Sequence, residues 1–183
     1  MALQLEKNGY VTLPSGNALL GSQPEEGTIE FIVRPDFDPA TLAKAGTDKY
    51  ACLFYLMQTG GNALPDGLDE IGLYIKNDRL HLRLGGREVR VGSIPNPFRQ
   101  GQWHHVAIVW KQGERALFID GKPLIRNTSP YTPPRLDGFH GTLGAHSPHH
   151  AFPFNGTFDN LKIWSRALRE DELRRGLDDA RQK

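Results

Sequence analysis

A chain of 183 residues is long enough for one domain with a sizeable core and short for two. Hydrophobic residues at 38% against charged residues at 23% exclude intrinsic disorder, and a net charge of +1 gives no overall field for a polyanion, so nucleic acid is not an expected partner. The 20 glycines and 13 prolines punctuate the sequence at short intervals, against a helical protein, and the single cysteine, Cys52, leaves no intrachain disulfide.

The opening residues, Met1-Ala2-Leu3-Gln4-Leu5-Glu6, lack the basic and apolar regions of an export signal. No run approaches the roughly 18 to 20 apolar residues of a membrane helix. A soluble protein without membrane insertion is expected, extracellular or on a virion surface if it acts outside the producing cell. The sequons at Asn127 and Asn155 would matter only in a secretory pathway, and their use is not expected.

The first clear strand covers residues 28–34, where Ile29, Phe31 and Val33 share one face. The apolar run 51–57 contains Cys52, which reads as a buried, inert thiol. Ile71, Leu73 and Ile75 alternate in a second strand, Asn77-Asp78 turns the chain, and Leu80, Leu82 and Leu84 alternate in a third. Residues 103–110 read as a central strand, apolar on nearly both faces. Gly113-Glu114 turns it into 115–119, and Asp120-Gly121 supplies a type I′ turn before 122–125, which makes a three-stranded meander. A last strand covers 157–164. Leu168, Leu173 and Leu177 then place one short amphipathic helix over 168–180, the only helix expected.

About a dozen short strands without a βαβ rhythm or a repeat predict an all-β fold. It is a single domain over 1–183, two antiparallel sheets face to face, with one short C-terminal helix. Residues 35–49, 60–69 and 128–154 are the longer irregular stretches, and loops of that length are where a site is expected.

Three blocks carry a resemblance to a known family. Gly27-Thr28-Ile29-Glu30-Phe31-Ile32-Val33-Arg34-Pro35 is similar to an early "T-I-E-F-W-V-R-P" strand. Residues 101–122, from Gly101-Gln102-Trp103-His104-His105-Val106-Ala107 to Leu117-Phe118-Ile119-Asp120-Gly121-Lys122, are similar to a "W-H-H-V-A … L-Y-V-D-G-K" core. Phe154-Asn155-Gly156-Thr157-Phe158-Asp159-Asn160-Leu161-Lys162-Ile163-Trp164, followed by Ser165-Arg166-Ala167-Leu168 and Glu172, is similar to a closing "F-N-G-x-I-D-E-V-R-I-Y-x-R-A-L-S-x-x-E" segment. Together, in this order, they resemble the laminin G-like branch of the concanavalin A-like lectin and glucanase superfamily over essentially the whole chain. The resemblance implies a jelly-roll sandwich and a recognition role. It also implies a structural calcium ion with Asp159 as one side-chain donor, against the simpler reading that Asp159 receives backbone hydrogen bonds. Two positions depart from the pattern: Asn160 replaces an acid, and Arg169 replaces the Ser or Thr that would cap the final helix, a loss of about 1 kcal/mol.

Glycoside hydrolysis, the distant alternative within that superfamily, needs two carboxylates about 5 to 5.5 Å apart in a retaining enzyme. No E-x-D-x-E strand is present; Asp66, Asp69 and Glu70 lie at a loop junction, and Glu170, Asp171 and Glu172 open the helix. No enzyme is expected. His140, His146, His149 and His150 crowd one region without a Cys or carboxylate between them and read as a surface loop rather than a zinc site. His104 and His105 read as packing and strand-end hydrogen-bonding residues.

The candidate ligand-binding rings are Tyr50, Tyr55, Tyr131 and Phe139, in or beside the irregular stretches, while Trp103, Trp110, Phe118, Phe158 and Trp164 are expected between the sheets. Two functions follow. One is a non-catalytic, lectin-like module binding a carbohydrate or protein surface through loops between strands. The other is a structural accessory protein of a particle, such as a bacteriophage capsid decoration or tail attachment protein, whose partner is a viral capsid or tail lattice.

Overall fold

The computed structural model describes residues 2–6, 9–45, 50–58, 69–85, 90–146 and 151–181. In chain order its strands are β1 (Leu3–Leu5), β2 (Val11–Leu13), β3 (Gly27–Pro35), β4 (Tyr50–Gln58), β5 (Glu70–Lys76), β6 (Arg79–Gly85), β7 (Arg90–Pro95), β8 (His104–Lys111), β9 (Glu114–Ile119), β10 (Lys122–Asn127), β11 (Phe139–Leu143) and β12 (Gly156–Trp164). They form two six-stranded sheets, ordered β1-β12-β3-β8-β9-β10 and β2-β11-β4-β5-β6-β7. Neighbouring strands are antiparallel in both, as in a jelly-roll sandwich.

Period-two alternation explains the sandwich. Ile29, Phe31 and Val33 of β3, with Val106, Ile108 and Trp110 of β8, meet Ile71, Leu73 and Ile75 of β5 and Leu80, Leu82 and Leu84 of β6 in one buried cluster. Each such side chain, fully buried, contributes about 1.5–3 kcal/mol. The two hairpins read from the sequence have the backbone they need: Asn77 and Asp78 sit at φ 48° and 59°, Asp120 and Gly121 at 52° and 73°.

Several expectations need correction. Two further helical pieces occur, α1 (Gly16–Leu20) and a 3-10 helix at Pro39–Ala45, besides the C-terminal helix α2 (Glu170–Arg181). The stretch 128–154 is not all irregular, because β11 runs through it and pairs with both β2 and β4. Trp110 and Phe158 do fill the space between the sheets, whereas Phe118 lies on the opposite side of its sheet, in a second cluster with Ala107, Val109, Ala116, Leu168 and Leu173. Trp164 is 37% exposed, and Trp103 stays partly exposed with the Arg34 guanidinium carbon 5.2 Å from its ring centroid.

That second cluster is the seat of α2. Arg169 cannot cap the helix with its side chain, but Glu172 reaches back to accept the Arg169 backbone N–H at 2.9 Å and holds Arg166 at 2.8 and 3.0 Å. This is the reciprocal half of a capping box. The hydrogen bonds from Arg166 and from the Arg169 backbone hold the Glu172 carboxyl at about 2.

Farther along, Gly176 lies directly on a buried polar pair. A Cβ there would come within 2.5 Å of His105 Nε2 and 2.9 Å of Glu30 Oε2. Gly176→Ala should therefore lower stability by about 1–2 kcal/mol through overpacking, although alanine favours the helix by up to about 1 kcal/mol. An unchanged urea midpoint would show that α2 does not rest on this pair. α2 lies against β3 and β8 of the first sheet, whereas α1 and the 3-10 helix meet β11 and β5 of the second with Leu20 and Leu42 turned to the core.

Candidate functional site

Strand register lays out the second sheet's outward face as rows. Tyr50 of β4 stands opposite Lys76 of β5, which stands opposite Arg79 of β6. The next row is Cys52, Tyr74, His81 and Ser93, and the next is Tyr55, Gly72, Arg83 and Arg90. Thr142 and His140 of β11 continue the face beyond Tyr55 and Met57. The bulge between Cys52 and Phe54 puts Tyr55 on the same face as Tyr50 and Cys52, while Leu53 and Phe54 both enter the core.

Aromatic rings crowd this face. Tyr74 stacks on His81 with centroids 5.0 Å apart and planes 4° from parallel, and Tyr50 lies 5.9 Å from Tyr74. The segment after β11 folds back over β4: Gly144 N–H donates to Leu53 C=O at 2.9 Å, and Cys52 N–H donates to Phe152 C=O at 2.9 Å. This brings Phe152 within 4.7 Å of Tyr50 and His146 within 4.3 Å of Tyr55. Phe152 is 40% exposed and sits at φ 54°, a left-handed conformation that costs a bulky residue energy and tends to occur at working sites. Tyr50, Cys52, Tyr55, Tyr74, Arg83, His146 and Phe152 together line a cavity of about 260 Å³. That is slightly below the usual range of about 300–1,000 Å³ for drug-sized ligands and suits a smaller one.

Polar groups are fixed between the rings. The Tyr55 hydroxyl donates to one oxygen of Glu70, and Arg83 Nε donates to the other. Gly72 makes this possible, since a Cβ there would lie 2.7 Å from the Tyr55 ring. Burial, and then the negative charge of Glu70, push the Tyr55 hydroxyl far above its ordinary pKa, so it remains a neutral donor. The Cys52 thiol is raised for the same two reasons and stays protonated, inert as a nucleophile. Burial lowers the pKa of His81, helped by the charges of Arg79, Arg90 and Lys76.

The structure brings two of the four candidate rings, Tyr50 and Tyr55, into this cavity. Phe139 is a correction: it is the first residue of β11, its side chain points between the sheets, and at 0% exposure it cannot meet a ligand. Tyr131 lies elsewhere, packed against the core with its hydroxyl donating to Lys111 C=O at 3.0 Å and the Arg115 guanidinium carbon 4.3 Å from its ring centroid.

Asp159 is 6% exposed at the irregularity between Asp159 and Lys162, accepts the Asn160 N–H at 2.8 Å, and is paired in register with Ile32. Calcium wants six to eight oxygens. Among the described residues no group of three or more His, Cys, Asp or Glu side chains converges, so any further oxygens beside Asp159 would be backbone or amide carbonyls. Asn160, the departure from the family pattern, occupies φ 51° at this bulge, which asparagine tolerates better than most residues.

Asp66, His149 and His150 lie outside the described residues. His140 is exposed on β11. His104 and His105 act within the fold: His104 Nδ1 lies 2.8 Å from Asp120 Oδ2, and the His105 N–H donates to Asp120 Oδ1 at 2.9 Å. A larger cavity of about 390 Å³ opens where α2 begins, over Val109, Ala116, Phe118 and Leu168. Its charged rim is spent on itself, with Arg126 joined to Glu114 and to Glu170 at 3.0 Å each, so it is a packing gap under the helix.

Tyr74, His81, Arg83, Glu70, which the sequence offers only as one of an acidic cluster, and Phe152 are not among the sequence's candidate ligand-binding residues. For the first four a signal exists: if Ile71, Leu73, Ile75, Leu80, Leu82 and Leu84 point inward, the residues between them point outward. No local pattern marks Phe152.

Two six-stranded antiparallel sheets, one with a helix against it and the other presenting rings and fixed polar groups, make a concanavalin A-like jelly roll. The chain belongs to the concanavalin A-like lectin/glucanase superfamily, whose Laminin_G_3 model matches residues 5–174. No curated protein is significantly similar to it. Among solved structures, the CBM40 domain of the Ruminococcus gnavus IT-sialidase, solved bound to alpha2,3 sialyllactose, is similar with a TM-score of 0.68 at 16% identity, over 98% of this chain and 96% of that one. A heptameric SAP-like pentraxin from Limulus polyphemus is similar with a TM-score of 0.60 at 18% identity, over 94% of this chain and 78% of that one. The receptor binding domain of the botulinum neurotoxin C/D mosaic serotype follows with 0.65 at 14%, over 97% and 42%. At these identities the likeness is one of fold.

Proposed function

We propose that this domain is a non-catalytic carbohydrate-recognition module whose ligand sits on the outward face of the second sheet, in the cavity walled by Tyr50, Tyr55, Tyr74, His146 and Phe152. The observation that carries the reading is the ring cluster itself. The core is already filled, yet several aromatic side chains stand together on the outer surface, one of them in a strained conformation, with a hydrogen-bonded Tyr55–Glu70–Arg83 group between them. Sugar rings offer C–H faces to aromatic rings and hydroxyls to fixed polar groups, which is what this surface supplies. The saccharide bound to the similar CBM40 domain supports the same class of ligand. Glu70 is the one carboxylate in the outward rows of β5, β6 and β7, and Tyr55 and Arg83 engage both its oxygens, so among the described residues of these strands no pair of free acids stands ready for glycoside hydrolysis.

Phe152→Ala and Tyr74→Ala should each weaken saccharide binding by about tenfold, from the loss of a stacking ring. Because Phe152 is 40% exposed, its replacement should leave stability within about 0.5 kcal/mol. A glycan array followed by titration of the two variants tests this. Silence toward every saccharide, with specific assembly of the purified chain onto a larger particle, would replace this reading with the attachment-protein one.

A further inference from the structure

Resting on the recognition reading above, we infer that the saccharide is an acidic one, its carboxylate or sulfate held over the Tyr74–His81 stack between Arg79 on one side and Arg90 on the other. The net charge of the chain is only +1, but it is unevenly spread. The outward positions of β5, β6 and β7 carry Lys76, Arg79, Arg83 and Arg90 against a single carboxylate, Glu70. Glu70 is committed to Arg83 and Tyr55. Among the described residues Arg79 reaches only Ser93, with Nη2 donating to its carbonyl at 2.9 Å and Nε to its hydroxyl at 3.3 Å, and no carboxylate there meets Arg90.

Two of these cations bracket one ring pair. Arg79 precedes His81 by two residues on the same strand, and Arg90 stands opposite Arg83, two residues beyond His81. With about 3.4 Å per residue and about 4.8 Å between strands, the two backbone positions lie about 7 and about 10 Å from the middle of the stack, so the two side chains flank it from opposite ends. The depressed pKa of His81 agrees, because Arg79, Arg90 and Lys76 each oppose a charge there. A neutral imidazole stacked on a phenol, ringed by cations, offers a flat apolar seat beside a positive rim. Guanidinium forks match the two oxygens of a carboxylate or sulfate. A nucleic acid fits less well: it would need cations along an extended track, whereas here they flank one ring pair beside a cavity of about 260 Å³ walled by Phe152.

The test uses the full chain on an array holding neutral, carboxylated and sulfated saccharides of matched backbones, followed by titration of the best acidic and neutral pair. Acidic members should bind about tenfold more tightly than their neutral counterparts at 0.1 M salt, a margin that shrinks at 1 M, where screening shortens from about 10 Å to about 3 Å. The double variant Arg79→Gln/Arg90→Gln should lose about fivefold in affinity for the acidic saccharide. Equal binding of neutral and acidic members, or an acidic preference that the double variant keeps, overturns this inference and leaves the recognition module standing. An oligodeoxythymidylate that binds as well as the best acidic saccharide also overturns it, since the rim would then be an undiscriminating anion site. Silence toward all saccharides overturns both readings together.

Discussion

Replacing Gly27 with alanine should destabilise the fold by about 3 kcal/mol, which for a domain of this size lowers Tm by about 6–12 °C. Gly27 opens β3 and stands directly opposite Trp110 of β8. Trp110 is fully buried, and its indole N–H donates to Pro24 C=O at 3.2 Å. The ring therefore lies flat across the glycine. A Cβ at position 27 would fall within 2.5 Å of ring atom Cη2 and 2.9 Å of Cε2, and closer still to Cζ2. Neither partner yields readily, because the ring is fully buried in the core cluster and β3 lies inside its sheet, between β12 and β8. Denaturant melts of Gly27→Ala, Trp110→Phe and the double variant check the mechanism. In the Trp110→Phe background the smaller ring leaves room, so the alanine should cost markedly less. Additive costs would show that the clash is not the cause.

The same residue pair marks how far the sequence alone can be read. The alternation of Ile29, Phe31 and Val33 places β3, and the run around Trp110 places β8, because a strand half-buried in a sandwich must alternate at period two. Asn77-Asp78 and Asp120-Gly121 locate two hairpins because few residue pairs accept two successive positive φ values. β11 was illegible for an equally physical reason. Phe139-His140-Gly141-Thr142-Leu143 is only five residues long with glycine at its centre, and β2 and β4, its partners on either side, hold it in the sheet. Read as loop, this segment presents Phe139 as an exposed ring; as a strand, it turns Phe139 into the core.

The candidate site divides the same way. Tyr50 and Tyr55 stood out as aromatics near irregular stretches, and Tyr74, His81 and Arg83 were open to inference from the phase of their strands. Phe152 was not. Its place against Tyr50 comes from one backbone hydrogen bond to Cys52, a hundred residues away in sequence, and from a left-handed backbone that nothing in Ala151-Phe152-Pro153 announces. Long-range pairing, rather than local pattern, completes the cavity wall.

Removing the carboxylate of Glu30 should destabilise the protein by about 3 kcal/mol in Glu30→Ala, and in Glu30→Gln it should also flatten the loss of stability in acid. Glu30 is 4% exposed on the α2 side of the first sheet. His105 Nε2 lies 3.3 Å from Oε2, Trp164 Nε1 donates to Oε1 at 3.4 Å, and Lys162 Nζ lies 3.6 Å from Oε1. Gly176 closes over the group from α2. Alanine would strand the 1%-exposed His105, whose Nδ1 already has no partner among the described residues. Burial alone would raise the Glu30 pKa, but the hydrogen bond from His105 and the charge of Lys162 outweigh it, with smaller help from Trp164, and the carboxyl titrates below its ordinary value. Because the folded pKa is the lower one, the unfolded chain binds the proton first. The carboxylate's contribution is complete above the unfolded value of about 4.3 and disappears as pH falls through the folded one. Urea titrations between pH 3 and pH 7 should show the wild type losing stability more steeply than Glu30→Gln below about pH 4.3. Parallel profiles would mean that the charge of Glu30 is not what fastens α2 to its sheet.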